Sequence, residues 1–470
     1  MIEILPPNRQ HKYIFTKGRN KTMANIMIHR GSSQIGGCCT QISTGESRIL
    51  IDFGTNLPGT DQNAGIKDAE MFQKVFGSYE KSAVLFTHYH GDHYGLFKEI
   101  PDDVPMYIGP LAKDILRILV PYMDHGTEKK GLPAVERMRT YEAGKWITPL
   151  PGIRVLPLYV DHSALDSYMF YIQVSGKSIL FTGDFREHGI VGQRGRLERV
   201  LKTYVHGPVD VLITEGTMLS RLGETKDVLV KSEQELGREA NKLFKKHKYN
   251  FVLVSSTNLD SIMEFYHNTP PNMRFVCDLY QAQVLITAMR DMERKGNFPE
   301  YRPSKQHPVV WVLGKPDSRW AVLRRTGDSM KNPLWFRSVT EEELERDGFV
   351  MLTRKNTRPE DYVSPFERLR DKFFDRDGQI IYSMWKGYLE EEHGDEHLLR
   401  FIGGRPYESL HTSGHAYVET IARLISLINP KIIIPMHTEC PEDFTSIPEF
   451  APYYDRVRVL WDGIGCHDLL

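Results

Sequence analysis

Apolar and polar residues alternate with a period of two over Ile26–His29, Cys38–Ile42 and Arg48–Phe53, and Gly and Ser punctuate the gaps. That pattern predicts an antiparallel meander. The unbroken apolar run Ala83-Val84-Leu85-Phe86 predicts a fully buried strand. Helix-like and strand-like segments follow at Leu96–Ile100, Met106–Ile108 and Leu111–Val120, and a second strand block covers Ile153–Val160, Tyr168–Val174 and Ser178–Phe181. A helical period spans Lys231–Lys246, with Leu236, Ala240, Leu243 and Phe244 on one face. Another spans Val418–Ile428 and is stopped by Pro430. Phe251–Val254 is a buried-type strand that empties into Ser255-Ser256-Thr257-Asn258, whose hydroxyl and amide groups suit the start of a helix over Leu259–Tyr266. The same turn could hold an anion. Ile380-Ile381-Tyr382 leads in the same way into Ser383–Tyr388, where Trp385 and Tyr388 could stack a nucleotide base or pack between lobes. Residues 280–375 are rich in both signs of charge and in tryptophan, the texture of an inserted lobe. Arg319, Arg324 and Arg325 there line a groove or face solvent. Residues 1–22 show no hydrophobic period and read as a flexible extension.

What the strands end on changes the picture. Ala83–Phe86 runs into Thr87-His88-Tyr89-His90-Gly91-Asp92-His93, which crowds three histidines and a carboxylate onto one loop. Neutral imidazoles suit zinc or a similar transition metal, and Asp92 adds a harder ligand. His162 closes Val155–Val160, Asp184 closes Ile179–Phe181, Glu215 closes Val211–Thr214, and His437 closes Ile432–Met436. One such residue means little; the repetition points to a site assembled along one edge of a sheet. Asp52, at the end of Ile49–Ile51, would either orient a ligand histidine or cap the next turn. Ser413-Gly414-His415, just before the Val418 helix, leaves backbone N–H groups open for a phosphate.

Composition narrows the class. The 470 residues exceed one ordinary domain, and 60 Lys and Arg balance 61 Asp and Glu, so no global basic field marks a protein that coats nucleic acid. The five cysteines form no CxxC pair and no disulfide framework; Cys38 and Cys39 read as small core residues. No apolar run is long enough to span a membrane and no signal-peptide pattern opens the chain, so a soluble, cytoplasmic protein is expected.

His88-x-His90-x-Asp92-His93, then His162, then Asp184 resemble the metallo-β-lactamase superfamily, and Glu215, Ser413-Gly414-His415 and His437 resemble the three extra motifs of its β-CASP nucleases. Gly31–Gly37 and Ser255–Asn258 fit the ribonuclease J-like subgroup. The resemblance implies an α/β fold: a four-layer αββα sandwich from 23–208 and 406–470, with a β-CASP α/β lobe inserted over 209–405. It implies two divalent metal ions, zinc first and manganese as the alternative. His88, His90 and His162 would hold one ion, Asp92, His93 and His437 the other, and Asp184 would bridge them. Asp52 would stand behind the ligands, and Glu215 would pair with His415 as general acid. Ser256, Asn258, Ser413 and Gly414 would meet substrate phosphate.

The implied activity is hydrolysis of single-stranded RNA held between the lobes, from the 5′ end or internally. The alternative within the superfamily is hydrolysis of a small phosphoester, thioester or lactone, against which the Glu215–His415 pair and the long insertion argue. A scaffold without activity is disfavoured because every ligand-type position is filled. Ribonuclease J usually continues past the last motif into a dimerisation domain, whereas this sequence stops soon after Trp461-Asp462-Gly463, leaving monomer or homodimer open. Tyr89 and Gly91 stand where ribonuclease J typically has Gly and Glu, and Thr438 follows His437 where it has Gly, so substrate preference is expected to differ.

Overall fold

The computed structural model describes residues 24–45, 47–57, 59–61, 64–78, 81–123, 131–221, 230–296, 298–355, 363–390 and 394–466; the extension expected over 1–22 lies outside them. Three sheets organise the chain. The first contains β1 (Ala24–Arg30), β2 (Cys39–Thr44), β3 (Ser47–Ile51), β4 (Lys81–Leu85), β5 (Met106–Ile108) and β6 (Arg139–Thr140), adjacent in that order. β1 to β3 form the expected antiparallel meander, and β3 to β6 pair in parallel. The second sheet contains β7 (Ile147–Leu150), β8 (Ile153–Val160), β9 (Ser167–Val174), β10 (Lys177–Phe181) and β11 (Val211–Glu215).

The third sheet is built from the chain between β11 and the helix Val418–Ile428. It contains β12 (Tyr249–Val254), β13 (Arg274–Cys277), β14 (Val309–Val312), β15 (Trp335–Ser338), β16 (Phe349–Thr353), β17 (Gly378–Ser383) and β18 (Tyr407–Ser409). Its order is β15-β14-β13-β16-β12-β17-β18 and every pairing is parallel. Finally β19 (Ile432–Met436) joins the second sheet beside β11, and β20 (Gly465–Cys466) joins the first beside β1. β11 thus lies in the second sheet and β18 in the third.

Alternation explains the layers. In β10, Ile179 and Phe181 face a core shared with Ile49 and Ile51 of β3 and Val84 of β4, while Leu180 faces a second core with Leu197, Leu201, Ile421 and Leu424. Those last four sit on the helices Arg196–Tyr204 and Val418–Ile428, which cover the outer face of the second sheet. The two sheets thus stack inside helical layers as a four-layer αββα sandwich, the arrangement that buries both faces of each sheet. Fully burying an apolar side chain of this size contributes about 1.5–3 kcal/mol.

Register then sets the site. β10, β11 and β19 run parallel with Phe181 opposite Ile213 and Glu215 opposite Met436. Their carboxyl ends fall together, so Asp184, Glu215 and His437 emerge side by side. In the first sheet Ile51 pairs with Leu85, which sets Asp52 beside the loop that begins at Thr87. Asp52 and His437 both take left-handed backbone, φ 63° and 51°. Non-glycine residues hold that conformation only where the surroundings enforce it.

Candidate metal centre and active site

The loop Thr87–His93 leaves β4, and a short helix begins at Gly91, turning Asp92 and His93 back toward His88 and His90. His88, His90 and His162 bring one ring nitrogen each to within 4.8 Å of one another; so do His88 and His93 with an Asp184 oxygen. His93 Nε2 lies 3.1 Å from Asp184 Oδ2, and His437 Nε2 lies 3.3 Å from Asp92 Oδ2. Glu215, His415 and His437 also converge with Asp184. Four of the five histidines are aimed from behind. His93 Nδ1 is 2.8 Å from Asp52 Oδ2, His162 Nδ1 is 2.6 Å from the Gly414 carbonyl, His88 Nδ1 is 3.0 Å from Thr87 Oγ1, and His437 Nδ1 is 2.7 Å from Thr217 Oγ1. Such partners fix which ring nitrogen faces inward. Asp52 also accepts from the Thr87 N–H at 2.7 Å, so it orients a histidine and braces the loop at once.

Two observations say what the cluster is built to hold. His88 Nε2 and Asp184 Oδ1 are buried without a hydrogen-bond partner, a costly state for two polar atoms in one place. Burial also pushes His88 and His162 well below the ordinary histidine range and His90 down to about 4, which leaves them neutral, the form that binds metal. Nitrogen and carboxylate donors in this number suit a divalent transition metal. Asp52, His88, His90, Asp92, His93, His162, Asp184 and His437, read separately from the sequence, are brought together.

Beside them, His415 Nδ1 stands 2.9 Å from Glu215 Oε2 and 3.6 Å from Asp184 Oδ2. Burial works against protonation of His415, but Glu215 and Asp184 outweigh it and hold the imidazole above its usual range. The other Glu215 oxygen accepts from the Phe185 N–H at 2.9 Å.

The cluster opens into a cavity of about 1600 Å³ that runs between the sandwich and the carboxyl ends of the third sheet. Ser256, Asn258, Ser413 and Gly414 all line it. Asn258 caps the helix Leu259–Asn268 through Ser261 N–H, so part of its amide serves the helix, while Ser413 Oγ caps the His415 N–H at 3.0 Å. Tyr122, Tyr280, Arg319 and Arg354 mark the far end, with Arg319 paired to Asp317. Arg324 and Arg325 face solvent.

Several residues escaped sequence reading. Thr217 has no motif signal; only its position two after Glu215 could have raised it. His188, read as a lone histidine, sits 2.7 Å from the Ser413 carbonyl and stacks on Tyr417 with centroids 4.4 Å apart. Cys38, read as core, is buried with its sulfur within 4.8 Å of ring nitrogens of His93 and His437.

Residues 37–226 match the metallo-beta-lactamase superfamily. That segment is a metallo-beta-lactamase domain. Residues 405–443 match a second description, the Zn-dependent metallo-hydrolase RNA specificity domain, and that segment carries both His415 and His437. The chain is similar to Ribonuclease J of Helicobacter pylori, 21% identical over 432 residues that are 89% of this chain and 57% of that protein. It is also similar to Ribonuclease J of Methanocaldococcus jannaschii, 23% identical over an alignment 474 positions long that covers 93% of this chain and 97% of that one. The chain thus spans little more than half of the Helicobacter relative. Among solved structures, a protein of unknown function from Enterococcus faecalis V583 shares the fold with a TM-score of 0.66 at 19% identity, covering 94% of this chain and 99% of its own. The superfamily and the donor set agree on a divalent metal-binding site. Among the described residues no helix is long and apolar enough to cross a membrane.

Proposed function

We propose that the protein is a metal-dependent ribonuclease that hydrolyses phosphodiester bonds of single-stranded RNA. The observation that carries this reading is the meeting of two separately matched segments in one cluster. His415 and His437, from the segment matching an RNA specificity domain, close onto His88, His93 and Asp184, from the metallo-beta-lactamase segment. His88, His90 and His162 would hold one ion, Asp92, His93 and His437 a second, with Asp184 shared; zinc suits the set and manganese is the alternative. Bound there, divalent ions supply Lewis acidity and charge neutralisation for phosphodiester hydrolysis.

The chain's own residues do the rest. Asp52, Thr217 and the Gly414 carbonyl hold the histidines in one tautomer. Glu215 keeps His415 protonated and aimed, and His415 Nε2 delivers that proton to the departing oxygen. Ser256, Asn258, Ser413 and Gly414 seat phosphate at the cavity wall. The catalytic unit comprises the two stacked sheets and their helices, and the third sheet forms an inserted lobe that covers the RNA. A cavity of about 1600 Å³ exceeds the ~300–1,000 Å³ of ordinary small-molecule pockets, which favours RNA over a small phosphoester, thioester or lactone. We place the enzyme in the cytoplasm, as monomer or homodimer.

The test uses protein stripped of metal and reloaded with zinc or manganese, given single-stranded RNA bearing a 5′-monophosphate, triphosphate or hydroxyl. Mononucleotides released only from the monophosphate, and lost in His415→Ala, would make it a 5′-exonuclease. Internal fragments whatever the 5′ end would make it an endonuclease. Intact RNA despite bound metal would overturn the proposal.

A further inference from the structure

Arg221 lies six residues beyond Glu215, on a turn closed by its N–H to the Met218 carbonyl at 3.3 Å, and it belongs to no motif. Its guanidinium carbon sits 3.8 Å from the ring centroid of Trp385, on the loop that leaves β17 in the inserted lobe. Trp385 is itself fixed. Its backbone carbonyl accepts from Tyr382 Oη at 2.8 Å, and Tyr388 meets it edge-on with centroids 5.2 Å apart. A Cβ at Gly387 would fall 2.3 Å from the Trp385 ring, so the indole lies directly against the glycine backbone. Of the two roles open to Trp385, this contact matches packing: its ring stacks on an arginine that follows β11.

Arg221, Trp385, Tyr388, His411, Ser413 and His415 line the same cavity. Burial holds His411 down to about 3, and the Arg186 and Arg221 charges act in the same direction. The wall next to the cluster also carries the carboxylates of Asp92 and Asp184 and the imidazole of His415. A planar guanidinium matches two phosphate oxygens at once, and stacking on an indole fixes its orientation before the ligand arrives.

We propose that Arg221, stacked on Trp385, forms a phosphodiester-binding subsite beside His415, with Trp385 as its positioning residue. The subsite rests on the ribonuclease reading and adds to it a residue that spans the two lobes. RNA bridging the cluster and the Trp385 loop would meet Arg221 on the way, so the subsite reports lobe-to-lobe registration as well as charge.

The experiment measures binding of fluorescent single-stranded RNA to the full-length, zinc-loaded His415→Ala protein by polarisation, across a series of salt concentrations. Arg221→Ala and the near-isosteric Arg221→Gln are expected to weaken binding about tenfold at physiological salt. They are also expected to flatten the slope of log affinity against log salt by about 0.7, one phosphate contact on a single strand. Arg221→Lys should keep the slope while losing affinity, because charge remains and the fork does not. Trp385→Ala should weaken binding, and Trp385→Phe should restore it, which loss of folding would not explain. Parental affinity and slope in Arg221→Gln would overturn the subsite while RNA binding by the parent left the ribonuclease reading standing. A parent that binds no RNA would bring both down.

Discussion

Two clusters of buried charge adjoin each other in this protein, and they are built to opposite rules. The first gathers His88, His90, Asp92, His93, His162, Asp184 and His437. The second gathers three carboxylates around Arg186, whose guanidinium lies 2.9 Å from Glu233, 2.8 Å from Asp260 and 3.6 Å from Asp161. The second supplies its own cation and finishes its hydrogen bonds. Arg186 also donates to the Ser413 carbonyl at 2.8 Å, Ser261 donates to Glu233 at 2.9 Å, Tyr301 donates to Asp260, and the Gly189 and Ile190 N–H groups reach Asp161 and Asp260. Only Arg186 Nε and Asp161 Oδ1 are left over, and they face each other. The first cluster instead aims His88 Nε2 and Asp184 Oδ1 inward with no protein partner. A cluster that completes itself is a strut; one whose leftover atoms converge awaits a ligand. The strut ties the end of β8 and the Ser413 loop to the helices Glu233–Phe244 and Leu259–Asn268 through Glu233 and Asp260.

The largest expected effect falls at the seam between the two. His415→Ala should lower the rate of RNA cleavage by about 10²–10⁴-fold while metal content, measured by mass spectrometry, stays parental. Loss of metal in that variant would make His415 a ligand. The strut should respond in the other currency: Arg186→Met leaves three carboxylates buried without their cation and should cost about 3–5 kcal/mol of stability by denaturant titration. Adding Glu233→Gln and Asp260→Asn should recover most of it. A parental unfolding midpoint in Arg186→Met, with metal lost, would erase the distinction between the clusters.

The same contrast explains what could be read in advance. His88–His93, His162, Asp184, Glu215 and His437 were legible because each ends an apolar strand, and parallel register collects strand ends without any knowledge of the loops. The sandwich was expected from the resemblance; the hydrophobic pattern by itself predicted the meander and the buried strand Ala83–Phe86, not the layers. Arg186, Thr217, His188 and Arg221 were not. Arg186 meets a carbonyl 227 positions away and Thr217 a histidine 220 away, and neither residue type is unusual where it stands. Which sheet takes β11 and which takes β18 was not legible either, because only pairing assigns β11 to the second sheet and β18 to the third.

Residues behind the ligands should give intermediate effects. Thr217→Val removes the group that orients His437, and Asp52→Asn weakens the hold on His93. Each should reduce metal affinity by about 10–100-fold in a chelator competition, with the fold retained by circular dichroism. A full loss of secondary structure in Asp52→Asn would instead make Asp52 a brace for the loop first and an orienting group second.

The smallest effect tests the strut's excess of negative charge at a distance. Glu264, on the helix Leu259–Asn268, accepts from Asn268 Nδ2 at 3.1 Å. Burial, and then the Glu233, Asp260 and Glu300 charges, push its carboxyl up to about 8. A carboxyl with a raised value holds in the folded state a proton that the unfolded chain releases near pH 4.5. Its contribution is therefore fully present below pH 4.5, declines as pH rises toward 8, and is lost above that. Glu264→Gln keeps an oxygen for Asn268 and removes the titration. Its unfolding free energy should match the parent at pH 4.5 and exceed it by about 1 kcal/mol at pH 9. In the Glu233→Gln, Asp260→Asn background the parental Glu264 should titrate lower, and the gain should shrink. An undiminished gain there would assign the shift to burial alone and disconnect Glu264 from the strut.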